Sequence, residues 1–197
     1  MTSDFKSVHL GHDIPDLSGA FQITVPAGTD IWDKPPATHS FNAPIIYRTS
    51  TVGKFKSARV TVSAAWKDQY DQGGLFLGIQ TTDTPRWVKT GIEFLDGVPL
   101  VGTVAKDQWS DWSLRPLLAE TLSIEGVAIL EVENASDGSL WIWLVSEGGQ
   151  KLPLREVAWW GDMAKDTELW IGVYGAKPAP HGEKGELVVK FEGLQIQ

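Results

Sequence analysis

Arg86-Trp87-Val88-Lys89-Thr90-Gly91-Ile92-Glu93-Phe94-Leu95 decides the fold. Val88, Ile92 and Phe94 share one parity, and Trp87, Lys89, Gly91 and Glu93 share the other. Strict period-2 alternation is the mark of a strand with one face on a core. Ala58-Arg59-Val60-Thr61-Val62-Ser63-Ala64-Ala65-Trp66 repeats the pattern. There Ala58, Val60, Val62, Ala64 and Trp66 oppose Arg59, Thr61 and Ser63. Gly74–Gln80 places Leu75, Leu77 and Ile79 inward, with Gln72, Gly74, Phe76, Gly78 and Gln80 outward. Trp170, Gly172 and Tyr174 oppose Leu169, Ile171 and Val173.

Working outward, almost every segment reads as strand. Runs rich in β-branched and aromatic residues alternate with Gly, Pro, Asp and Asn turns. Strands are predicted near Phe21–Val25, Pro44–Arg48, Phe55–Trp66, Gly74–Gln80, Arg86–Leu95 and Leu100–Ala105. Four more are predicted near Gly126–Glu133, Leu140–Val145, Glu168–Tyr174 and Glu186–Ile196, with a hairpin loop at Asn134–Gly138. Helical turns are plausible only at Leu114–Glu120 and Arg155–Asp162. Residues 1–20 read as a polar arm or first edge segment and 21–197 as one all-β sandwich domain. Lys177–Gly182 reads as a flexible connection before the last strand.

With 197 residues, 42% of them hydrophobic, the chain is long enough to bury a full core without staples. It has no cysteine, which excludes disulfide scaffolds, thiolate metal sites and cysteine nucleophiles. Its net charge is −8 and its basic residues are scattered, which argues against nucleic acid. The start, Met1–Lys6, carries no basic run followed by an apolar one, and no apolar stretch is long enough to span a membrane. A cytoplasmic protein is expected. Ten Trp exceed what such a core needs, so some are expected to line a ligand surface.

Trp32-Asp33-Lys34-Pro35-Pro36, Asp71-Gln72-Gly73-Gly74-Leu75, Trp87–Glu93 and Ser110-Asp111-Trp112-Ser113 occur in this order. Together they resemble the DUF1349 family, which includes the fungal "regulation of enolase" protein, in the concanavalin A-like lectin/glucanase superfamily. The resemblance runs from about Ala20 to the C-terminus. It implies a jelly-roll sandwich of two antiparallel sheets, one concave, and a cytoplasmic protein with no established chemistry, in a family one member of which is linked to control of a glycolytic enzyme. It also suggests a carbohydrate ligand. Gly73 stands where the family commonly has Ala, and Asp33 where it often has a basic residue.

The outward faces mix aromatic rings, glycines, amides and a few charges. Outward glycines at 74, 78, 91 and 172 are expected to hollow the sheet for a ligand. The predicted groove is built from Gln72, Trp87, Lys89, Glu93 and Trp112, with Arg59, Phe76 and Tyr174 as further candidates. Asp71 is read as a turn former and Gln72 as an amide aimed at the ligand. Three functions compete. The leading one is binding of a carbohydrate or related metabolite, with a regulatory role and little or no catalysis. The second is cofactor-independent acid–base chemistry on a small aromatic or polyketide-like molecule, with Lys89 and Glu93 as catalytic candidates. The third is a protein-interaction module, with a homodimer or partner enzyme on exposed Trp rings. A shared concavity for Gln72, Trp87 and Glu93 is the feature that separates the ligand readings from the third.

Other constellations are weaker. Glu131 and Glu133 lie two apart on one strand face, but no third acid completes a glucanase pattern. Their neighbours suggest a solvated strand end. His9, His12 and Asp13 lack a further ligand, and His39 and His181 are isolated, so no metal is expected. No nucleophile elbow, phosphate loop or dinucleotide fingerprint is present, and no cofactor is expected.

Overall fold

The computed structural model describes residues 4–79, 85–117, 126–179 and 185–197. In chain order the strands are β1 (Phe5–Val8), β2 (Phe21–Val25), β3 (Ile31–Lys34), β4 (Thr38–Phe41) and β5 (Ile45–Thr51). They continue with β6 (Ser57–Ala64), β7 (Gln72–Ile79), β8 (Arg86–Leu95), β9 (Val98–Lys106) and β10 (Ser110–Pro116). The last are β11 (Val127–Asn134), β12 (Leu140–Val145), β13 (Lys151–Val157), β14 (Glu168–Ala176) and β15 (Leu187–Ile196). Among the described residues a single 3-10 turn spans Ala158–Asp162. Among the described residues no helix is long and apolar enough to cross a membrane.

Two antiparallel sheets pack face to face. One has seven strands in the order β1-β5-β14-β7-β8-β9-β10, and the other six, β13-β12-β11-β6-β15-β2. The fold is a concanavalin A-like jelly-roll sandwich. Inward residues of both sheets build one core: Leu75, Leu77 and Ile79 of β7, Val88 and Ile92 of β8, and Ile171 and Val173 of β14 meet Val60 and Val62 of β6 and Leu130 and Val132 of β11. Each such side chain contributes roughly 1.5–3 kcal/mol by leaving water. Alternation therefore assigned the inward faces correctly, although Phe94 is only half-buried.

The seven-stranded sheet is covered on its other face as well. The β3–β4 hairpin forms a small sheet of its own, turning through Pro35–Pro36, and lies over that face. A second apolar cluster forms beneath it from Ile31, Ile45, Tyr47, Phe76, Trp87, Val104 and Tyr174. As a result every residue of β7 is buried.

Four strands, β3, β4, β10 and β13, fall outside those predicted, and β1 lies in the stretch read as an arm or first edge segment. β1 pairs with β5 at the sheet edge, so Phe5–Val8 is an edge strand, and Leu10, Ile14 and Leu17 of the following segment pack on the core. β3 and β4 flank two prolines that read as loop, and β10 and β13 are edge strands with largely polar faces. Leu114–Pro116 continues β10 where a helical turn was plausible, because it pairs with Leu100–Gly102. Arg155–Val157 likewise ends β13, and only the part from Ala158 turns helically. Asn134 ends β11 and the hairpin loop runs from Ala135 to Ser139 as expected. Lys177 is buried rather than part of a loose connection. Gln80, Leu118–Glu120 and 180–182, with His181, lie outside the described residues.

The outward glycines need correction too. A Cβ added at Gly172 would stand 1.9 Å from the Ile46 carbonyl oxygen, and one at Gly91 would stand 2.0 Å from that of Gly73. These glycines let neighbouring strands approach closely; they are not vacancies left for a ligand. Gly172→Ala is expected to destabilise by roughly 1–3 kcal/mol, the range of overpacked sites. Gly148→Ala, whose added carbon meets only Ser146 Oγ at 3.8 Å, should change stability by less than about 0.5 kcal/mol. Urea denaturation midpoints of the two variants check the contrast.

Candidate functional site

The site begins with one buried ammonium. Lys89 projects from the middle of β8 onto the concave face and is 2% exposed. A buried cation without acceptors is costly, so its neighbours must supply them. Gln72, opposite Glu93 on adjoining β7, accepts from Lys89 Nζ through Oε1 at 2.8 Å. Asp30 Oδ1, just ahead of β3, lies 3.4 Å from the same nitrogen. Three rings add their faces: Trp32, Trp87 and Tyr174 have centroids 5.8 to 5.9 Å from Lys89 Nζ. Burial pulls the lysine below its ordinary pKa, against the opposing charges of Asp30 and Glu93.

Glu93 lies four residues further along β8 on the same face. Burial raises its carboxyl above the ordinary value, while Lys89 and the hydrogen bond from Trp112 Nε1 to Oε2 at 3.0 Å pull it down. Tyr174 donates its hydroxyl to Gln72 Oε1 at 3.3 Å, and burial pushes the phenol well up. Gln72 thus joins lysine and tyrosine through one oxygen, and its Nε2 donates to the Tyr70 carbonyl at 3.3 Å.

Above this floor is a cavity of about 630 Å³, of the size that holds a small ligand. Trp32, Tyr70 and Trp112 wall it, and their rings meet edge to face at 6.1 and 6.4 Å. Asp30, Lys34, Gln69, Pro178 and Ala179 complete the rim. A second cavity of about 600 Å³ lies on the other side of the hairpin, with Asp33, His39, Trp87, Lys106 and Trp109 in its lining. There Asp33 accepts from Lys106 Nζ at 2.7 Å and sits 3.0 Å from His39 Nδ1. His39 is therefore on a strand and partnered, and its ring stacks on Trp109 at 5.7 Å.

Of the predicted groove residues, Gln72, Lys89, Glu93 and Trp112 share the first cavity. Trp87 does not: it is buried beneath the hairpin, touches Lys89 from below and lines the second cavity. Gln72 and Glu93 converge, but the third member of the expected triple faces the neighbouring space. Tyr174 is in the floor behind Gln72, and Phe76 is fully buried under Phe41, centroids 6.0 Å apart. Arg59 belongs to the six-stranded sheet, where it pairs with Glu131 at 3.5 Å on the far face. Glu131 and Glu133 both hold Lys151, at 2.7 and 2.9 Å, as a surface ion cluster. Asp71 is the expected turn former: Oδ2 accepts from the Lys67 and Asp68 amides at 3.2 and 3.0 Å. No group of three or more His, Cys, Asp or Glu suited to a metal occurs among the described residues.

Asp30, Trp32, Gln69 and Tyr70 were missed as site residues. Trp32 stood in the first of the quoted stretches, and that was the available signal. A buried ion cluster holds the Gln69–Tyr70 loop in place: Lys177 reaches Asp68 and, at 3.1 Å, Asp71.

A family model described as "Protein of unknown function (DUF1349)" matches residues 14–197. The chain belongs to the DUF1349 family. A protein of Emericella nidulans described as uncharacterized is 45% identical, covering 98% of this chain and 95% of its own length. "Regulation of enolase protein 1" of Saccharomyces cerevisiae is 36% identical over 61 residues, 31% of this chain and 29% of that protein. A solved structure of "a functionally unknown protein from Saccharomyces cerevisiae" superposes with TM-score 0.79 at 19% identity, over 98% of this chain and 96% of that one. The GH43 protein BlXynB of Bacillus licheniformis gives 0.62 at 11% identity over 90% of this chain and 32% of its own. An alginate lyase from Klebsiella pneumoniae gives 0.52 at 12%, over 93% and 82%. At these identities the solved structures speak to the fold, which is one shared with carbohydrate-active enzymes.

Two stability outcomes follow from the site. Lys177→Met leaves two buried carboxylates without their cation and should cost about 3–5 kcal/mol in chemical denaturation. Glu93 holds its proton more tightly in the native state than in the unfolded chain, so its contribution to stability is lost as pH rises past the unfolded carboxyl value. Glu93→Gln removes that loss. Its melting temperature should match wild type near pH 4 and exceed it increasingly toward pH 8, measured by thermal scans across that range.

Proposed function

We propose that this chain binds a small carbohydrate in the cavity between the concave sheet and the β3–β4 hairpin. The observation that carries this reading is the pairing of aromatic walls, Trp32, Tyr70 and Trp112, with a polar floor of Gln72, Lys89 and Glu93. A sugar ring has apolar CH faces and a hydroxyl rim, and this combination answers both. The lining sets two acidic side chains, Asp30 and Glu93, beside two basic ones, Lys34 and Lys89, which offers both acceptors and donors to sugar hydroxyls. Trp112 is 37% exposed at the cavity wall, where a ligand would cover it.

The name of one relative, "Regulation of enolase protein 1" of Saccharomyces cerevisiae, supports a regulatory role for that binding, in the cytoplasm, as a further part of the proposal. The shared concavity expected of Gln72, Trp87 and Glu93 is met by Gln72 and Glu93 alone, since Trp87 lines the second cavity; the interaction reading is still less well supported on the exposed tryptophans. Trp109 and Trp112, the most exposed tryptophans described, line concavities and not a flat or convex patch.

Intrinsic tryptophan fluorescence titrated with a panel of mono- and disaccharides should give a saturable change for at least one sugar. Trp112→Ala should weaken that binding about tenfold or more, equivalent to about 1.4 kcal/mol. Arg59→Ala, on the far face of the other sheet, should leave it unchanged. A folded protein that gives a flat response across the panel would defeat the proposal.

A further inference from the structure

We propose that the cavity also cleaves its ligand, with Asp30 and Glu93 acting as a carboxylate pair that hydrolyses a glycosidic bond and water as the co-reactant. This rests on the carbohydrate reading of the same cavity.

The two carboxylates reach the cavity from different parts of the fold. Glu93 rises from the sheet floor, and Asp30 enters from the segment that leads into the hairpin. Each is held by one oxygen. Asp30 Oδ1 accepts from the Ile31 amide at 2.7 Å and lies 3.4 Å from Lys89 Nζ, and Glu93 Oε2 accepts from Trp112 Nε1 at 3.0 Å. Asp30 Oδ2 and Glu93 Oε1 have no hydrogen-bond partner among the described residues, so both are available to a ligand or a water. The Asp30 backbone is itself pinned, since its amide donates to Asn42 Oδ1 at 2.8 Å.

Their surroundings differ in the way that separates an acid from a base. Glu93 is 8% exposed, and burial holds its carboxyl up, with Asp30 adding to the rise against Lys89 and Trp112. That is the direction a general acid requires. The Asp30 side chain is 25% exposed, so a water can reach it, and its Oδ1 lies 3.4 Å from Lys89 Nζ. Glu131 and Glu133 offer no such pair, because both are tied to Lys151 on an open surface.

The step balances with water alone. Glu93 gives its proton to the glycosidic oxygen as the C1–O bond breaks, and the bonding electrons leave with that oxygen as a hydroxyl. A water oxygen bonds to C1 and gives its proton to Asp30. The products are a reducing sugar and an alcohol, and the carboxyl groups return to their starting states by exchanging protons with solvent. The walls hold the ring, and Lys89 holds Asp30 in place.

The test uses the full chain, a panel of unsubstituted disaccharides and their 4-nitrophenyl glycoside counterparts, assayed for reducing sugar and nitrophenol between pH 4.5 and 8. At least one sugar that binds should be hydrolysed. Glu93→Gln should lower kcat on the disaccharide by about 100-fold or more, a general acid's share. The same variant should lose far less on the nitrophenyl glycoside, whose leaving group needs no proton. Asp30→Asn should lower both alike. Wild-type kcat should fall at the alkaline end as Glu93 loses its proton, and that limb should vanish in Glu93→Gln. Should either variant fail to fold, Trp112→Phe removes the hydrogen bond that lowers the Glu93 carboxyl and should move the alkaline limb to higher pH. Binding without turnover across the panel overturns the inference and leaves the binding proposal standing. Turnover that survives both substitutions overturns the assignment of roles. Absence of binding itself removes both.

Discussion

The ammonium of Lys89, buried in the middle of the concave sheet, is the constraint around which the site is arranged. It stands on a strand whose inward face is already committed to the core, and the hairpin covers the outward face. Its charge must therefore be answered locally. Gln72 supplies one oxygen from the adjoining strand, Asp30 another from the hairpin's lead-in, and three rings supply their faces. Each of these residues is held in turn. Gln72 binds Tyr174, Trp32 meets Trp112, and Trp112 binds Glu93. A Leu at 89 would pack the same space without these obligations. Retaining a lysine there costs stability and points to a use at the cavity.

The fold was readable because its strands alternate. Val60 and Val62 against Arg59 and Thr61 need no further context to place a strand face. What alternation cannot report is which sheet a strand joins. Arg59 and Lys89 are both outward polar residues in alternating runs, yet one faces solvent on the six-stranded sheet and the other is enclosed. Nor does it report depth. Phe76 and Trp87 share the face of Lys89 but are buried by β3 and β4, two four-residue strands too short to show an alternating run. The half of the site contributed by connections, Asp30, Gln69 and Tyr70, carries no periodic signal at all. Only long-range contacts such as Lys177 with Asp68 and Asp71 bring it into place.

The glycines carry the same lesson at the level of backbone. Gly91 and Gly172 on outward faces suggested space reserved for a ligand. Their neighbours show instead that strand backbones occupy the volume a side chain would need, 2.0 and 1.9 Å from the nearest carbonyl oxygens. Composition revealed that something approaches; it did not reveal that the approaching group was the sheet itself. The hollow lies instead beside the hairpin, with Trp32 lining one cavity and Asp33 the other.

Those two residues show how a short strand can serve two spaces. Successive side chains of β3 point to opposite sides, so Trp32 walls the first cavity while Asp33 enters the second, where it binds Lys106 and His39. The Asp33 amide is fastened to Ser110 Oγ at 2.9 Å, joining the hairpin to β10. Trp112 on that same strand faces Trp32, and Trp109 just before it faces His39. The hairpin and the sheet edge are thereby locked together on both sides of one partition. Trp32 and Asp33 are neighbours on one four-residue strand, so the two cavities share a single partition whose two faces are lined by successive side chains.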